Sequence, residues 1–419
     1  RGGRLLPKTV VILATLDTKG EEAEYLRGQI ESLGGQAQLI DMGVLGESSI
    51  TSDVSREEVA AAGGVELTVL LEAPNRETAA PIMAAGATKI LLDLVRDNQA
   101  HAVLGIGGTQ GTSSCTQVMQ SLPYGFPKLM VSTAASGDTS SFVGIKDISM
   151  MFSVSDLMGL NPFTERILSN AASAAYGMSL SAERVEIGSG DKPLIAMTNL
   201  GVLTEGATHA ITYFREAGYD TVVFHAVGSG GQAMEQLMKD GVVGAVFDYA
   251  LGEISDEIFD GLRAGGPERL TVAGSLGLPQ VICPGGAEHV GLFVDPDVVP
   301  EKYRDHQYTF HSPVILSLRL KSKELIQVAE EICKRLENTK ENAVFMLPLR
   351  STGRYSIAGG PLHDPEGDEA FFDALRANLP HSVNLVEIDA DAEDPMFVRE
   401  AARRLIEMLE AASYSVGKD

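Results

Sequence analysis

The sequence predicts an α/β protein of two Rossmann-like lobes whose parallel sheets face each other across a cleft. Three observations carry this expectation. Apolar runs of strand length alternate with helical stretches whose apolar residues recur at spacings of three and four. The alternation restarts after a polar, glycine-containing stretch from Ser181 to Lys192. At 419 residues, the chain is long for one ordinary α/β domain and comfortable for two. The expected division is 1–180 for the first lobe and 191–419 for the second.

The first lobe opens with a strand, Thr9–Leu16, followed by a helix with Ala23, Leu26, Ile30 and Leu33 on one face. Gly34 and Gly35 stop that helix, and Gln36–Asp41 reads as the second strand, a β-α-β opening typical of a parallel sheet. Ser55–Ala62 reads as a short helix, the surroundings of Asn75 as a loop, and Ala80–Asn98 as a helix. His101–Ile106 is a strand running into the glycine-rich turn Gly105–Thr112, after which Cys115, Val118, Met119 and Leu122 mark a helix face. Lys128–Val131 and a segment within Phe142–Val154 supply further strands, and a small-residue helix from Pro162 to Leu180 closes the lobe.

In the second lobe the expected strands are Leu194–Thr198, Thr221–Ala226, Val242–Phe247, Gln280–Cys283, Val314–Leu318, Ala343–Leu347 and Leu385–Ile388. Thr204–Ala217 is a helix stopped by Gly218, and the last helix carries Phe397, Ala401, Leu405, Met408 and Leu409 on one face. The lobes echo each other: His101-Ala-Val and His225-Ala-Val each lead to a glycine turn and a methionine-bearing helix.

Hydrophobic residues at 44% and charged residues at 21% are ordinary globular values, so both lobes can bury a core. The formal net charge of −24, with no local Lys/Arg cluster, argues against nucleic acid and anionic membranes as partners. It does not argue against a nucleotide, which backbone N–H groups and one or two cations can hold. Cys115, Cys283 and Cys333 are far apart and show no C-x-x-C spacing, so reduced thiols in a cytoplasmic protein are expected and a zinc site is not. No uninterrupted apolar run reaches membrane-span length, and Arg1–Arg4 reads as a processed end.

The glycine-rich turn Gly105-Ile-Gly-Gly-Thr-Gln-Gly-Thr112 sits between a strand and a helix, the setting in which free N–H groups and the helix dipole hold an anion. It has no Walker lysine and is not a G-x-G-x-x-G fingerprint. The plain alternative is a tight turn that packs helix on strand. Asp17, Thr18 and Lys19 end the first strand and so fall on the same rim, where Lys19 can supply the missing cation. A capping box between Thr18 and Glu21 would explain Thr18 without a ligand. Ser132, Thr133 and Gly137 belong to a third small-residue loop at a strand end. In the second lobe Gly228, Gly230 and Gly231 form a turn able to hold a small anionic metabolite, or to act as a purely structural turn. His225 and His289 are the best-placed acid–base histidines, each with surface or core placement as the alternative. Cys283 before Pro284 reads as a nucleophile or, more simply, a buried small hydrophobe.

Four segments resemble the ATP-binding domain family named after the tomato mosaic virus resistance protein of tomato. They are Ala14-Thr-Leu-Asp-Thr-Lys-Gly20, the turn Gly105–Ser113, Pro127–Gly137, and Ala217–Glu235 with its Val-Gly-Ser-Gly-Gly core. The resemblance implies two Rossmann-like subdomains, ATP bound with magnesium, and a homodimer. It places Asp17, Thr18, Lys19, Gly107, Gly108, Thr109, Gly111, Thr112, Ser132, Thr133 and Gly137 at the nucleotide, with no protein metal ligand assigned.

The second lobe departs from the family pattern. A Thr-Thr-Thr-Glu run becomes Tyr249-Ala-Leu-Gly-Glu253, and Gly-Ala-x-Asp-Met-Val becomes Gly286-Ala-Glu-His-Val-Gly291. Near the end, His-Ile-Asn-Asp becomes Ala390-Asp-Ala-Glu-Asp394, while His-Asn-Pro survives as His311-Ser-Pro313. Three functions are carried forward: an enzyme on a small anionic metabolite, with His225 and Glu253 as acid–base groups; a nucleotide-dependent regulatory or protein-binding module; and, by fold analogy alone, a sugar-nucleotide enzyme.

Overall fold

The computed structural model describes residues 7–72, 76–181 and 192–416. The Arg1–Arg4 end, the loop expected around Asn75 and most of the expected linker lie outside the described residues. The chain forms two compact units, Arg1–Ile187 and Gly188–Asp419.

The first unit is a parallel sheet covered on both faces. Its strands are β1 (Thr9–Ala14), β2 (Gln36–Asp41), β3 (Ala102–Gly107), β4 (Lys128–Ser132) and β5 (Ser149–Phe152), in the order β2-β1-β3-β4-β5. β3 and β4 are buried along their whole length, which is why they read as continuous apolar runs. The helices are α1 (Leu16–Ser32), α2 (Arg56–Ala62), α3 (Leu67–Glu72), α4 (Arg76–Arg96), α5 (Thr109–Gln120), α6 (Ser140–Val143) and α7 (Pro162–Ser181). Val10, Ile12, Leu104 and Ile106 pack with Ala23, Leu26 and Ile30 of α1 and Leu168 and Ala171 of α7. The opposite face, through Val11, Leu13, Val103 and Met130, packs with α2 to α5. Leu33, expected on the buried face of α1, is the helix C-cap and is exposed, while Gly34 at φ +89° takes the chain out of the helix.

By length and composition, the stretch Thr78–Arg96 of α4 is apolar enough to cross a membrane, with a mean hydropathy of 1.4. That corrects the reading of the primary run. In this unit Ala79, Met83, Ala84, Ala87 and Leu91 of the helix pack into the core beside Val59 and Met119.

The second unit holds a six-stranded parallel sheet and a small antiparallel one. The parallel strands are β6 (Ile195–Asn199), β7 (Thr221–His225), β8 (Ala245–Ala250), β9 (Gln280–Gly285), β13 (Ala343–Pro348) and β14 (Val383–Ile388), in the order β14-β13-β9-β8-β6-β7. Between β9 and β13 the chain forms β10 (His289–Phe293), β11 (Tyr308–Ser312) and β12 (Ile315–Arg319), an antiparallel sheet with β12 in the middle. Val314–Leu318, expected as a strand, is thus the middle strand of the antiparallel sheet, and its neighbours β10 and β11 are not among the expected strands. The helices are α8 (Thr204–Glu216), α9 (Ser229–Lys239), α10 (Gly252–Ile258), α11 (Val272–Leu276), α12 (Ser322–Arg335), α13 (Pro365–Asn378) and α14 (Pro395–Val416).

Both parallel sheets wind alike. The first strand of each, β1 or β6, lies between the second and the third. Strand order therefore reverses between β1 and β3 and again between β6 and β8, and ligands of open α/β sheets bind outside the carboxyl ends of strands at such a point. This corrects the proposed internal echo. His101 precedes the internal strand β3, whereas His225 ends the edge strand β7. The topological counterpart of β3 is β8.

Candidate functional site

At the switch point of the first unit, the chain leaves β1 through Thr15–Lys19 and leaves β3 through Gly108. Between these two exits lies a cleft of ≈340 Å³, within the range of small-molecule sites. One wall is polar: Thr15, Asp17, Thr18, Lys19, and the run Gly107–Gly111. The other is largely apolar: Met42, Val44, Leu45, Ala79, Ala80 and Met83.

The polar wall is built around the start of α5. Its N-cap residue is Gly108, and no side chain caps the helix. The N–H groups of the first turn are thus left for a ligand or water. A Cβ on Gly107 would stand 2.7 Å from the Gly111 Cα, so the helix can approach the strand end only because residue 107 is glycine. Gly108 has room for a side chain, its nearest neighbour being Thr133 Oγ1 at 3.8 Å from a built Cβ.

Lys19 interrupts α1 at φ −128°, ψ 20°. Its Nζ donates to the Leu157 carbonyl at 2.6 Å and reaches the Thr18 carbonyl at 3.5 Å. These partners are neutral, so they fix the ammonium without cancelling its charge. Thr18 forms no capping box; its hydroxyl meets Thr15 Oγ1 at 2.9 Å. Asp17 Oδ2 accepts from Gly46 N at 3.1 Å, while its Oδ1 is buried without a hydrogen-bond partner. Behind it Asp41 accepts from Leu16 N at 3.0 Å and Gly43 N at 2.8 Å. Burial pushes the Asp41 carboxyl above its usual range, and the nearby Asp17 charge adds to that, against those two N–H groups and Arg56.

Seven of the eleven residues expected at the nucleotide line this cleft: Asp17, Thr18, Lys19, Gly107, Gly108, Thr109 and Gly111. The other four do not. Thr112 and Ser132 are fully buried and bond each other through their hydroxyls at 2.6 Å, joining α5 to the end of β4. Thr133 is half-buried beside Gly108, and Gly137 is exposed beyond it.

In the second unit the corresponding switch point is filled by the chain itself. Glu253 Oε1 accepts from Gly228 N at 2.7 Å and Gly231 N at 3.0 Å. Its Oε2 accepts from Arg269 Nε at 2.6 Å. Arg269 also donates to both oxygens of Asp248 at 2.5 and 2.6 Å and to the Ala250 carbonyl at 3.0 Å. Glu235 completes the group, accepting from Leu270 N at 2.5 Å and Val272 N at 3.1 Å. Burial raises the Glu235 carboxyl to about 7, against the pull of Arg269. Glu253 is raised for the same reason, again against Arg269.

Two sequence expectations are corrected by this geometry. Glu253 is not an accessible acid–base group, because its carboxylate is fully buried and committed to three donors. The turn at Gly228–Gly231 is not an open anion site, because an internal carboxylate already takes two of its N–H groups. Gly230 has a packing role: a Cβ there would collide with the His225 carbonyl. Cys283 is no nucleophile either; burial holds its thiol far above the usual range, and the Asp248 charge adds to this.

His225 and His289 do come together, with His311, around a separate hollow of ≈180 Å³ that Arg263 and Tyr355 also line. His289 is buried and bonds Glu288 Oε1 through Nδ1 at 3.0 Å. Burial would raise the Glu288 carboxyl, but His289, Arg319 and the Thr352 hydroxyl outweigh it and hold the group at about 2. Among the described residues no group of three or more His, Cys, Asp or Glu is placed to hold a metal ion.

Two family models match nearly the whole chain: the N-terminal domain of the uncharacterised protein family UPF0261 over residues 8–184, and its C-terminal domain over 192–409. The chain belongs to the UPF0261 family. A UPF0261 protein of Clostridium tetani is 36% identical over 96% of this chain and 99% of its own length. A UPF0261 protein of Brucella melitensis is 31% identical over 94% of this chain and 93% of its own. The tomato ToMV resistance protein Tm-1(GCR237) is 30% identical over 71% of this chain and 40% of that protein. Among solved structures, a putative UDP-N-acetylglucosamine 2-epimerase from Listeria monocytogenes covers 66% of this chain and 79% of its own. Its identity of 12% and TM-score of 0.22 are too low to support any argument.

Sequence reasoning missed the apolar wall of the first-unit cleft and Asp41. Asp41 carried a readable signal, since it ends β2 on the rim where β1 and β3 also end. The wall was harder to see: Met42–Leu45 is loop, and Ala79, Ala80 and Met83 come from a helix expected from Ala80 that starts at Arg76, with nothing in its sequence to tell a cleft-facing residue from a core one.

Proposed function

We propose that the first unit binds ATP with magnesium in the cleft between the ends of β1 and β3. The observation that carries this is the uncapped start of α5, opening at the switch point into a cleft with Lys19 on its polar wall. Phosphate oxygens suit the N–H groups of that first turn and the Lys19 ammonium. The apolar wall of Met42, Leu45 and Met83 suits the nucleoside. Magnesium bound with a nucleotide would be held largely by the phosphates and by one or two carboxylates, and Asp17, whose Oδ1 has no hydrogen-bond partner, is the carboxylate of this cleft that could supply one. The kinship with a resistance protein of tomato at 30% identity is compatible with a nucleotide-dependent regulatory role.

The test is isothermal titration of the full chain with Mg-ATP. Lys19→Met removes a charge-assisted bond of about 1.5–3 kcal/mol and is expected to weaken binding by about tenfold or more. ADP formation measured on the same samples separates turnover from binding. Absence of saturable Mg-ATP binding, or equal affinity in Lys19→Met, would overturn the assignment.

A further inference from the structure

The hollow in the second unit lies at the carboxyl ends of β6 and β7, which supply Leu200–Val202, His225 and Val227 to its lining. Leu262 and Ile315 add further apolar surface. Its volume of ≈180 Å³ lies below the usual range of drug-sized pockets, which suits a small ligand. An apolar hollow with a few convergent polar groups, beside a sheet switch point, is the ordinary setting of a small-molecule site.

The polar groups share one chemical character. They are three imidazoles, a guanidinium, a phenol and the Ser317 hydroxyl. No Asp or Glu lines the hollow, although the chain carries 57 of them and a net charge of −24. The carboxylates stand one layer behind and hold the lining in place. Asp256 takes Arg263 Nε at 2.9 Å and Nη2 at 2.7 Å, and Glu288 takes His289 Nδ1 at 3.0 Å. With Nδ1–H given to Glu288, His289 Nε2 accepts from Arg263 Nη1 at 3.3 Å. The second N–H of Nη1 is then available to a ligand. At the exposed side His311 Nδ1 meets the Tyr355 hydroxyl at 3.0 Å, and His225 Nδ1 reaches the Asn199 carbonyl at 3.3 Å. All three rings are thus anchored through Nδ1, and His225 and His311 keep Nε2 for a bound molecule.

We propose that this hollow binds a small carboxylic acid of a few carbons, its carboxylate taken by Arg263, by His311, whose Nδ1 accepts from the Tyr355 hydroxyl and whose Nε2–H donates, and by His225 as the imidazolium, with Nδ1–H on the Asn199 carbonyl and Nε2–H on the ligand. The His311–Tyr355 pair then lies beside the bound acid as a group able to exchange a proton with it. This assignment is independent of the nucleotide site, since every lining residue belongs to the second unit.

The test uses the full chain with histidine ring nitrogens labelled, titrated with sodium acetate, pyruvate and malonate, with methyl pyruvate as the uncharged control. At least one carboxylate is expected to shift histidine resonances saturably, and the ester is not. His225→Gln and His311→Gln, both at exposed positions, are each expected to weaken binding by about tenfold, with Tyr355→Phe milder. Thermal melts of the variants verify the fold. No saturable shift with any of the three acids, equal binding of the ester, or unchanged affinity in both histidine variants would overturn the proposal. Mg-ATP is titrated in parallel: loss of ATP binding with carboxylate binding intact counts against the first-unit reading alone.

Discussion

Replacing Glu253 by alanine separates a structural carboxylate from a catalytic one. The substitution leaves Gly228 N and Gly231 N without their acceptor and removes one of the bonds that hold Arg269. Each buried N–H left unsatisfied costs about 1–3 kcal/mol, and breaking a buried ion pair typically about 3–5 kcal/mol. These do not add in full, because Asp248 still holds the guanidinium through two bonds and water can enter the space. A loss of ~3–5 kcal/mol is expected, a large part of the ~5–15 kcal/mol typical of a domain. Hydrogen exchange by mass spectrometry on the full chain measures it locally. Peptides from α9 and β8 should lose protection by ~10²–10⁴-fold, while those from β1 and α5 keep theirs. Formate should restore protection by occupying the vacated position; at about a hundred times its Kd it returns ~2.7 kcal/mol. If α9 and β8 exchange as in the parent protein, Glu253 is not the internal anion of this turn, and its reading as an accessible acid–base group regains force.

The Glu235 carboxyl, raised by burial from 4.5 to about 7, binds its proton more tightly in the folded than in the unfolded chain. Its stabilising contribution is therefore full below pH 4.5 and is lost as pH rises through 7, about 3 kcal/mol in all. Denaturant unfolding of the parent and of Glu235→Gln across that window should differ by an amount that falls with pH; a constant difference would contradict the assignment. Gly107→Ala drives a Cβ to 2.7 Å from the Gly111 Cα and should cost about 1–3 kcal/mol together with Mg-ATP affinity, whereas Gly108→Ala, with 3.8 Å of clearance, should melt like the parent. Similar melting of the two would remove the steric account of the turn. All three cysteines are buried free thiols, and burial raises Cys115 and Cys333 to about 12, so the native protein should not react with a disulfide reagent until it unfolds. One fast-reacting thiol in native buffer would refute this.

The parallel sheets were legible because their central strands are buried on both faces, and that burial shows as unbroken apolar runs such as Val10–Ala14. The antiparallel insert was not. β11 has no fully buried residue and β10 begins with a histidine, so neither presents such a run. The first-unit site was legible where backbone geometry dictates residue type, as at Gly107. It was misread where a hydroxyl has two uses. Thr112 and Ser132 lie beside the glycine turn in sequence or space, but α5 carries the Thr112 hydroxyl inward to meet Ser132, out of the cleft. The second-unit site was misread for a related reason. A glycine turn at a helix start signals that an anion is held there, and the signal is the same whether the anion is a ligand or the side chain of residue 253.

The two units thus resolve one physical problem in opposite ways. Each presents a glycine-containing turn and an uncapped helix start at the carboxyl rim of a parallel sheet. In the second unit Glu253 takes Gly228 N and Gly231 N at the start of α9, and Arg269 joins that carboxylate to Asp248 on β8. The carboxylate and the guanidinium are both fully buried. In the first unit Asp17, at the end of β1, points one oxygen at Gly46 and leaves the other unpartnered, and no carboxylate caps α5. No buried arginine lines that cleft. An uncapped helix start is destabilising unless something satisfies it. Where the second unit satisfies it from within, the first leaves the task to solvent or to a ligand. The contrast between Glu253 and the open start of α5, more than the glycines that both turns share, is the observation on which the proposal of an external anion at the first unit rests.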